Sequence, residues 1–82
     1  MYNGYPNRET WSVNLWLNDK PETYYALMEM AETEMNPERL AEQIEEFVWS
    51  MVPELDGMLD DLLTTALQSV EWEHIAAPLL EA

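Results

Sequence analysis

The acidic side chains in the middle of the chain have the spacing that most suggests a specific chemistry. Glu38 and Glu42 recur one helical turn apart, and so do Asp56 and Asp60. Neighbours one turn apart on a helix lie ~6 Å from each other, close to the spacing of successive phosphates along one nucleic-acid strand. These rows predict a surface that enters a basic nucleic-acid-binding groove, with carboxylates where phosphates would sit. A solvated helix face is the simpler interpretation.

The predicted partner-binding residues add one aromatic side chain to these acids. Trp49 falls beside the apolar stripe of its helix and next to Glu45 and Glu46. An exposed indole ringed by acids would make a binding hot spot, whereas packing at the edge of the core is the alternative. The predicted set is Glu38, Glu42, Glu45, Glu46, Trp49, Glu54, Asp56, Asp60 and Asp61.

Catalytic and metal-binding patterns are weak. Glu71 and His74 have the i, i+3 spacing of carboxylate-bridged di-metal sites in helical bundles. Such a site needs a second copy of the pair, and because the chain has one His, only a symmetric dimer could supply it. There is no Cys, and adjacent carboxylates such as Asp60 and Asp61 diverge by ~100° around a helix. We therefore expect no enzyme activity, no metal and no other cofactor.

The elements that must position these residues begin with a turn-rich arm, Tyr2 to Pro6. Asn7 or Thr10 can cap a first helix that ends at Asn18. The apolar residues between positions 11 and 17 fit both a strand and a helix, but no second strand is present to pair with, so helix is favoured. A second helix is predicted over roughly residues 20–35, capped by Asp19. Its apolar face is Tyr24, Leu27, Met28, Ala31 and Met35.

Three more helices follow. Asn36 and Pro37 open the third, and Pro53 ends it and starts the fourth. The predicted stripe of the third is Leu40, Ile44, Phe47, Val48 and Met51. The fourth has the strongest period, with Leu55, Met58, Leu59, Leu62, Leu63, Ala66, Leu67 and Val70 on one face. Ser69 is predicted to cap a short last helix with Trp72, Ile75, Ala76 and Leu79 on its inner side.

The fold class that these signals predict is all-α. We expect one compact domain over residues 1–82, a bundle of four to five short helices behind the N-terminal arm. Trp11, Trp49 and Trp72 are expected in or near the core, and Trp16 and Trp49 are the two most suited to partial exposure.

The charge balance narrows the class of partner. Seventeen acidic and three basic residues give a formal charge of -14. This charge repels nucleic acid and anionic membranes and attracts basic protein surfaces. It could serve solubility alone, but so large an excess weakens the compact state more than solubility requires, which favours a basic partner. The lack of Cys and of an apolar run near ~18 residues predicts a soluble protein of a reducing compartment.

Both ends of the chain resemble a known family. The segments are Tyr2-Asn3-Gly4-Tyr5-Pro6-Asn7-Arg8-Glu9-Thr10-Trp11, with Val13 and Leu15-Trp16-Leu17-Asn18, and Val70-Glu71-Trp72-Glu73-His74-Ile75-Ala76. They are similar to the opening and closing motifs of a family of small uncharacterised proteins encoded by phages, plasmids and bacteria. The resemblance implies a mobile-element protein acting in a bacterial cytoplasm. It transfers no activity, and the middle of the chain is not matched.

Two functions are open at this point. The first is an acidic inhibitor of host defence, of the anti-CRISPR or anti-restriction type, whose carboxylate-lined helical face occupies the nucleic-acid site of a nuclease or CRISPR effector. The step from small acidic mobile-element proteins to this role is an analogy. The alternative is a phage or plasmid assembly module that forms homo- or hetero-oligomers through an aromatic and Met face containing Trp16 and Trp49.

Overall fold

A computed structural model describes residues 2–81, and within that range the chain forms five helices. They are α1 (Arg8–Asp19), α2 (Pro21–Thr33), α3 (Pro37–Ser50), α4 (Gly57–Gln68) and α5 (Glu73–Glu81). The predicted all-α fold is confirmed. The molecule measures 39 × 28 × 23 Å. The end residues of the predicted 1–82 domain, Met1 and Ala82, lie outside the described range.

The N-terminal arm is a tight turn fastened to α1. Tyr2 and Tyr5 exchange two backbone hydrogen bonds of 2.7 and 2.8 Å. Between them Asn3 and Gly4 have φ values of 47° and 87°, as in a type I′ turn, which favours Asn-Gly. The Tyr2 ring lies 4.9 Å from the ring of Trp11, centroid to centroid. The predicted turn-rich arm is thus present and packs on the first helix.

α1 settles the choice between strand and helix for residues 11–17, because all of them are helical. Asn7 is the N-cap, and its side chain accepts a hydrogen bond from the Thr10 amide. The helix runs through Asp19, so the prediction that Asp19 caps α2 was wrong; Lys20 takes that place without a side-chain hydrogen bond. The corner is held instead by the Thr23 hydroxyl, which donates to the Leu17 carbonyl at 2.6 Å.

α2 and α3 are close to their predicted bounds. Asn36 caps α3 and accepts hydrogen bonds from the amides of Glu38 and Arg39, with Pro37 in the first turn, as predicted. α2 ends at Thr33, short of the predicted residue 35. Two side chains assigned to apolar stripes are therefore misplaced: Met35 follows α2 and Met51 follows α3, and both are exposed.

The core lies where α2, α3 and α5 meet. Leu27, Leu40, Ile44 and Ile75 are fully buried there. α3 packs most extensively on α5, α2 contacts both, and α1 closes the bundle against α2 and α5. Each fully buried Leu or Ile contributes about 1.5–3 kcal/mol relative to exposure, so truncating any one of them should destabilise the fold markedly.

α4 departs most from expectation. Pro53 does not start it; residues 51–56 form a connection, and the helix begins at Gly57 with Asp56 as the N-cap. Its regular apolar period is typical of a helix that packs on a core, yet Met58, Leu59 and Leu62 are 71%, 57% and 59% exposed. Leu55 lies outside the helix. The helix is amphipathic as predicted, but only its C-terminal end packs against the bundle.

α5 starts later than predicted. Ser69 ends α4 instead of capping α5, and its hydroxyl donates to the Thr65 carbonyl. Trp72 is buried in the turn before the helix, and Ile75 and Ala76 are buried within it, as predicted. The inner face of α5 is therefore correct although its first residue is not.

Candidate acidic protein-binding site

An acidic cleft opens between α3 and the start of α5. Its volume is about 460 Å³, and Ala41 and the buried Trp72 contribute its apolar lining. The remaining residues are titratable, five of them carboxylates: Glu38, Glu42, Glu45, Glu71, Glu73 and His74. We call this set the acidic cleft. It gathers acids that are more than 25 residues apart in the chain.

Helix geometry explains why these carboxylates meet. Leu40 and Ile44 turn into the core, and this orientation of α3 leaves Glu38, Glu42 and Glu45 beside the α3–α5 contact. Ala41 is buried at the contact, where its small side chain permits close approach of α5. The three carboxylates of α3 therefore lie beside the α3–α5 contact, and that contact fixes their position.

The far side of the cleft is held by a buried polar cluster. Thr10 is completely buried, and its hydroxyl accepts a hydrogen bond from the Glu71 amide at 2.9 Å. The same hydroxyl donates to the Asn7 side-chain oxygen at 2.7 Å. The Asn7 amide group donates to the Ser69 carbonyl at 2.7 Å. Asn7 and Thr10 thus join the start of α1 to the turn that presents Glu71.

This cluster gives a structural reason for part of the N-terminal motif. Trp11 holds the arm through its contact with the Tyr2 ring. The long-range hydrogen bonds come from Asn7 and Thr10. The N-terminal segment therefore supports the acidic cleft from behind, and Trp72 is buried at the cleft itself.

Comparison with protein families places the chain in an uncharacterised family. A family model described as a family of unknown function, DUF7249, matches residues 1–81. The chain belongs to this family. Comparison with curated proteins and with solved structures gives no significant match. Within residues 2–81, no helix combines the length and the apolar character that a bilayer crossing requires.

The electrostatics of this DUF7249 chain suit a cationic partner. Five carboxylates converge on the cleft, and its lining residues include no Lys or Arg. Glu38 and Glu73 lie in the first turns of α3 and α5, where the positive end of the helix dipole favours a negative side chain. Carboxylates grouped in this way are good acceptors for Arg and Lys donors. Over the described residues, no group of three or more His, Asp or Glu side chains has a metal-binding arrangement.

The structure brings together only part of the predicted set. Glu38, Glu42 and Glu45 line the acidic cleft, whereas Glu46 is exposed on α3 outside its lining. Trp49 is half-buried and packs against the core. Its arrangement is the edge-of-core alternative, not that of a fully exposed indole.

The acids of the α4 region form a separate group. Glu54, Asp56, Asp60 and Asp61 are all exposed, and none lines the acidic cleft. Because Asp56 has extended backbone angles as the N-cap, Asp56 and Asp60 do not form the continuous helical row that the sequence suggested. That prediction was wrong because it started α4 at Pro53.

Three cleft residues were missing from the predicted set. Glu71 and His74 were considered only as metal ligands, and Glu73 was not considered. Finding them requires the packing of α5 on α3, which no local pattern specifies. The only sign of these residues in the sequence was the group of acidic side chains that follows Val70.

Proposed function

We propose that this DUF7249 protein is a binding protein whose acidic cleft engages a basic surface, normally a nucleic-acid-binding site, on a partner protein. The observation that carries the proposal is the convergence of five carboxylates from two separate segments on one cleft. A solvated helix face needs no such convergence, since acids serving hydration alone can be spread over the surface.

The overall charge supports the same class of partner. At -14, the protein attracts basic surfaces and repels nucleic acid and anionic lipid. Charge complementarity raises the association rate and selects partners, and it weakens as salt screens exposed charges over ~10 Å at 0.1 M. Binding, and not catalysis or cofactor chemistry, is the activity that follows from this arrangement.

The narrower form of the proposal draws on the resemblance of the chain ends to phage, plasmid and bacterial proteins. In that form the protein acts in a bacterial cytoplasm as a nucleic-acid mimic. Its partner is a host nuclease, restriction enzyme or CRISPR effector. The warrant is analogy with other small acidic inhibitors, together with the acidic cleft.

The test compares two pairs of charge reversals. Glu42→Lys with Glu45→Lys alters the acidic cleft, and Glu29→Lys with Glu32→Lys makes an equal change of net charge on α2, outside its lining. Proteins retained from a bacterial lysate by the wild type are identified, and their affinities are then measured individually at 0.15 M salt. We expect the cleft pair to lose at least tenfold in affinity, about 1.4 kcal/mol, and the α2 pair to lose much less.

Competition supplies the second criterion. Duplex DNA or RNA added to the partner should displace the protein if the two occupy the same basic site. Binding that is unaffected by nucleic acid, or that both charge-reversal pairs weaken equally, would contradict the proposal.

The assembly alternative rests on a different observation, the exposure of Trp16 and Met58 at 61% and 71%. Trp49, its other named aromatic, is half-buried and contributes less. Sedimentation equilibrium distinguishes the two functions, because an assembly module should self-associate at micromolar concentration, whereas the inhibitor needs no second copy.

A further inference from the structure

A second cleft, apolar in character, lies between α1 and α4. Its volume is about 320 Å³. The α1 side is formed by Arg8, Glu9, Ser12 and Val13, and the α4 side by Leu63, Ala66, Leu67 and Val70. We call this the α1–α4 groove. Its α4 wall is entirely aliphatic, unlike the acidic cleft.

The apolar faces of α1 and α4 continue beyond the residues that line the groove. The hydrogen bonds of Asn7 and Thr10 to residues 69 and 71 hold the start of α1 against the end of α4. From this junction α1 extends toward higher residue numbers and α4 extends toward lower residue numbers. One turn further out, Trp16 follows Ser12 and Val13 on α1, and Leu59 and Leu62 precede Leu63 and Ala66 on α4. These three outer side chains are all exposed.

The outer ends of both helix faces leave large apolar side chains exposed. Leu59, Leu62 and Trp16 are each exposed by more than half, and exposed apolar faces of this kind mark interaction sites. From Leu59 to Leu67 the α4 face extends along about two helical turns, or ~12 Å. These dimensions match the apolar face of one further helix, packed as the third member of a three-helix unit.

The charges around the groove favour a cationic occupant, because Glu9 and Arg8 balance within the lining and the exposed acids that flank the two helix faces decide the sign. Glu9 lies in its lining, and Asp60 flanks the α4 face one position after Leu59. Asp19 lies one turn beyond Trp16 on α1, while Arg8 is the one basic residue of the lining. An apolar stripe bordered by Lys or Arg would bury its apolar side chains and direct its charges at these acids.

A second copy of the chain fits less well. It would bring its own charge of -14 to an acidic rim, and like-charge contacts at an interface are unfavourable. Both copies would have to approach through a region that also includes the exposed Glu54 and Asp56. The charge pattern favours a partner of opposite sign over self-association.

We propose that the α1–α4 groove binds a basic amphipathic helix of a partner protein, with its apolar stripe against Leu59, Leu62 and Trp16. The proposal goes beyond the acidic-cleft function because it concerns a different surface and holds whether or not the cleft binds anything. The recognised chemistry is about two turns of helix with Leu-like residues at i, i+3, i+4 and i+7 and Lys or Arg on the flanks.

The probe is a synthetic 14-residue peptide of that pattern, made from Leu and Lys without Trp. Two matched peptides accompany it, one with the Leu residues replaced by Ser at unchanged charge and one with Lys replaced by Glu. Affinities are measured by calorimetry at 0.15 M salt, and the part of the Trp fluorescence change that Trp16→Phe abolishes reports occupation of the groove mouth.

The decisive variant is Leu59→Ser with Leu62→Ser, whose sites are exposed, so folding should be preserved; circular dichroism checks this. Its matched control is Met35→Ser with Met51→Ser, two exposed apolar side chains that belong to neither α1 nor α4. We expect the basic amphipathic peptide to bind at least tenfold more weakly to the groove variant, and within threefold of wild type to the control. Both matched peptides should bind at least tenfold more weakly than the probe.

Three results would overturn the proposal. They are no binding of the probe, equal binding of the Ser-substituted or Glu-substituted peptide, and equal binding of the probe to the groove variant. A dimer at 0.15 M salt that Leu59→Ser with Leu62→Ser dissociates would also overturn it, since a second copy would then occupy the groove. Glu42→Gln with Glu45→Gln alters only the acidic cleft and should leave the affinity for the probe within threefold of wild type. Peptide binding at the groove is thereby tested separately from partner binding at the acidic cleft.

Discussion

Replacing Thr10 with Val tests whether the buried polar cluster holds the two ends of the chain together. Val has nearly the shape of Thr but cannot form hydrogen bonds. The Thr10 hydroxyl both donates to the Asn7 side chain at 2.7 Å and accepts from the Glu71 amide at 2.9 Å. In Thr10→Val the Asn7 oxygen keeps the Thr10 backbone amide as a donor, at 2.8 Å, whereas the Glu71 amide loses its partner.

The free-energy cost of Thr10→Val comes from the Glu71 amide, because only this group loses its hydrogen-bond partner. Leaving a buried donor unsatisfied costs about 1–3 kcal/mol, and because the Glu71 hydrogen bond is part-buried we expect the lower part of that range, about 1–2 kcal/mol, against the roughly 4–12 kcal/mol expected for a domain of this length. For a domain of this size each kcal/mol lowers Tm by about 4–8 °C, so a loss of about 1–2 kcal/mol corresponds to about 4–16 °C. Thr10→Ser keeps the hydroxyl and removes one buried methyl group, which costs about 1 kcal/mol.

The assay is urea unfolding followed by circular dichroism at 0.15 M salt, with amide hydrogen exchange as the local measurement. In the wild type the Glu71 amide should be protected, and in Thr10→Val it should exchange much faster. Thr10→Ser should keep that protection. A Thr10→Val protein as stable as the wild type, or a Glu71 amide equally protected in both, would refute the role of the cluster.

The other predictions concern charge and the unequal packing of the helices. Added NaCl should raise Tm between 0.02 and 0.5 M, because it screens the self-repulsion of a chain with a charge of -14; a Tm independent of salt would contradict this. Leu59→Ala should change the free energy of unfolding by less than about 0.5 kcal/mol because its side chain is exposed, whereas Ile44→Ala, fully buried in α3, should cost about 2–5 kcal/mol. Equal effects of the two substitutions in urea unfolding would show that α4 is packed more tightly than the exposure of Leu59 indicates.

Local signals in the sequence located most of the helices. Asn36 and Pro37 specify a start through a side-chain acceptor and a fixed φ, both of which are properties of adjacent residues. The Asn-Gly pair at positions 3 and 4 specifies its turn in the same way. Where two starts compete within one short stretch, as at Asp19 and Lys20, the tertiary structure decides, because Asp19 is used to finish α1.

Burial was less predictable than helix formation. α4 has the regular period of a core helix, but period identifies which side is apolar and not what covers it. The exposed Met58 and Leu62 and the buried Ile44 belong to equally plausible stripes, and only the packing of α3 on α5 distinguishes them. The acidic cleft depends on that same packing, so Glu38, Glu42 and Glu45 could be named in advance, whereas their association with Glu71 and Glu73 could not.

The exposed α4 face and the excess of acids are connected by one physical requirement. An exposed apolar surface of this kind promotes association between copies of a protein. A charge of -14 on each copy opposes that association without covering the surface, so the groove stays available to a partner of opposite charge. Salt acts on the two processes in opposite directions, because screening weakens attraction to a basic helix and relieves repulsion between copies. Raising the salt concentration should therefore weaken binding of the basic peptide and strengthen self-association measured by sedimentation. If both change in the same direction, charge does not control access to the groove.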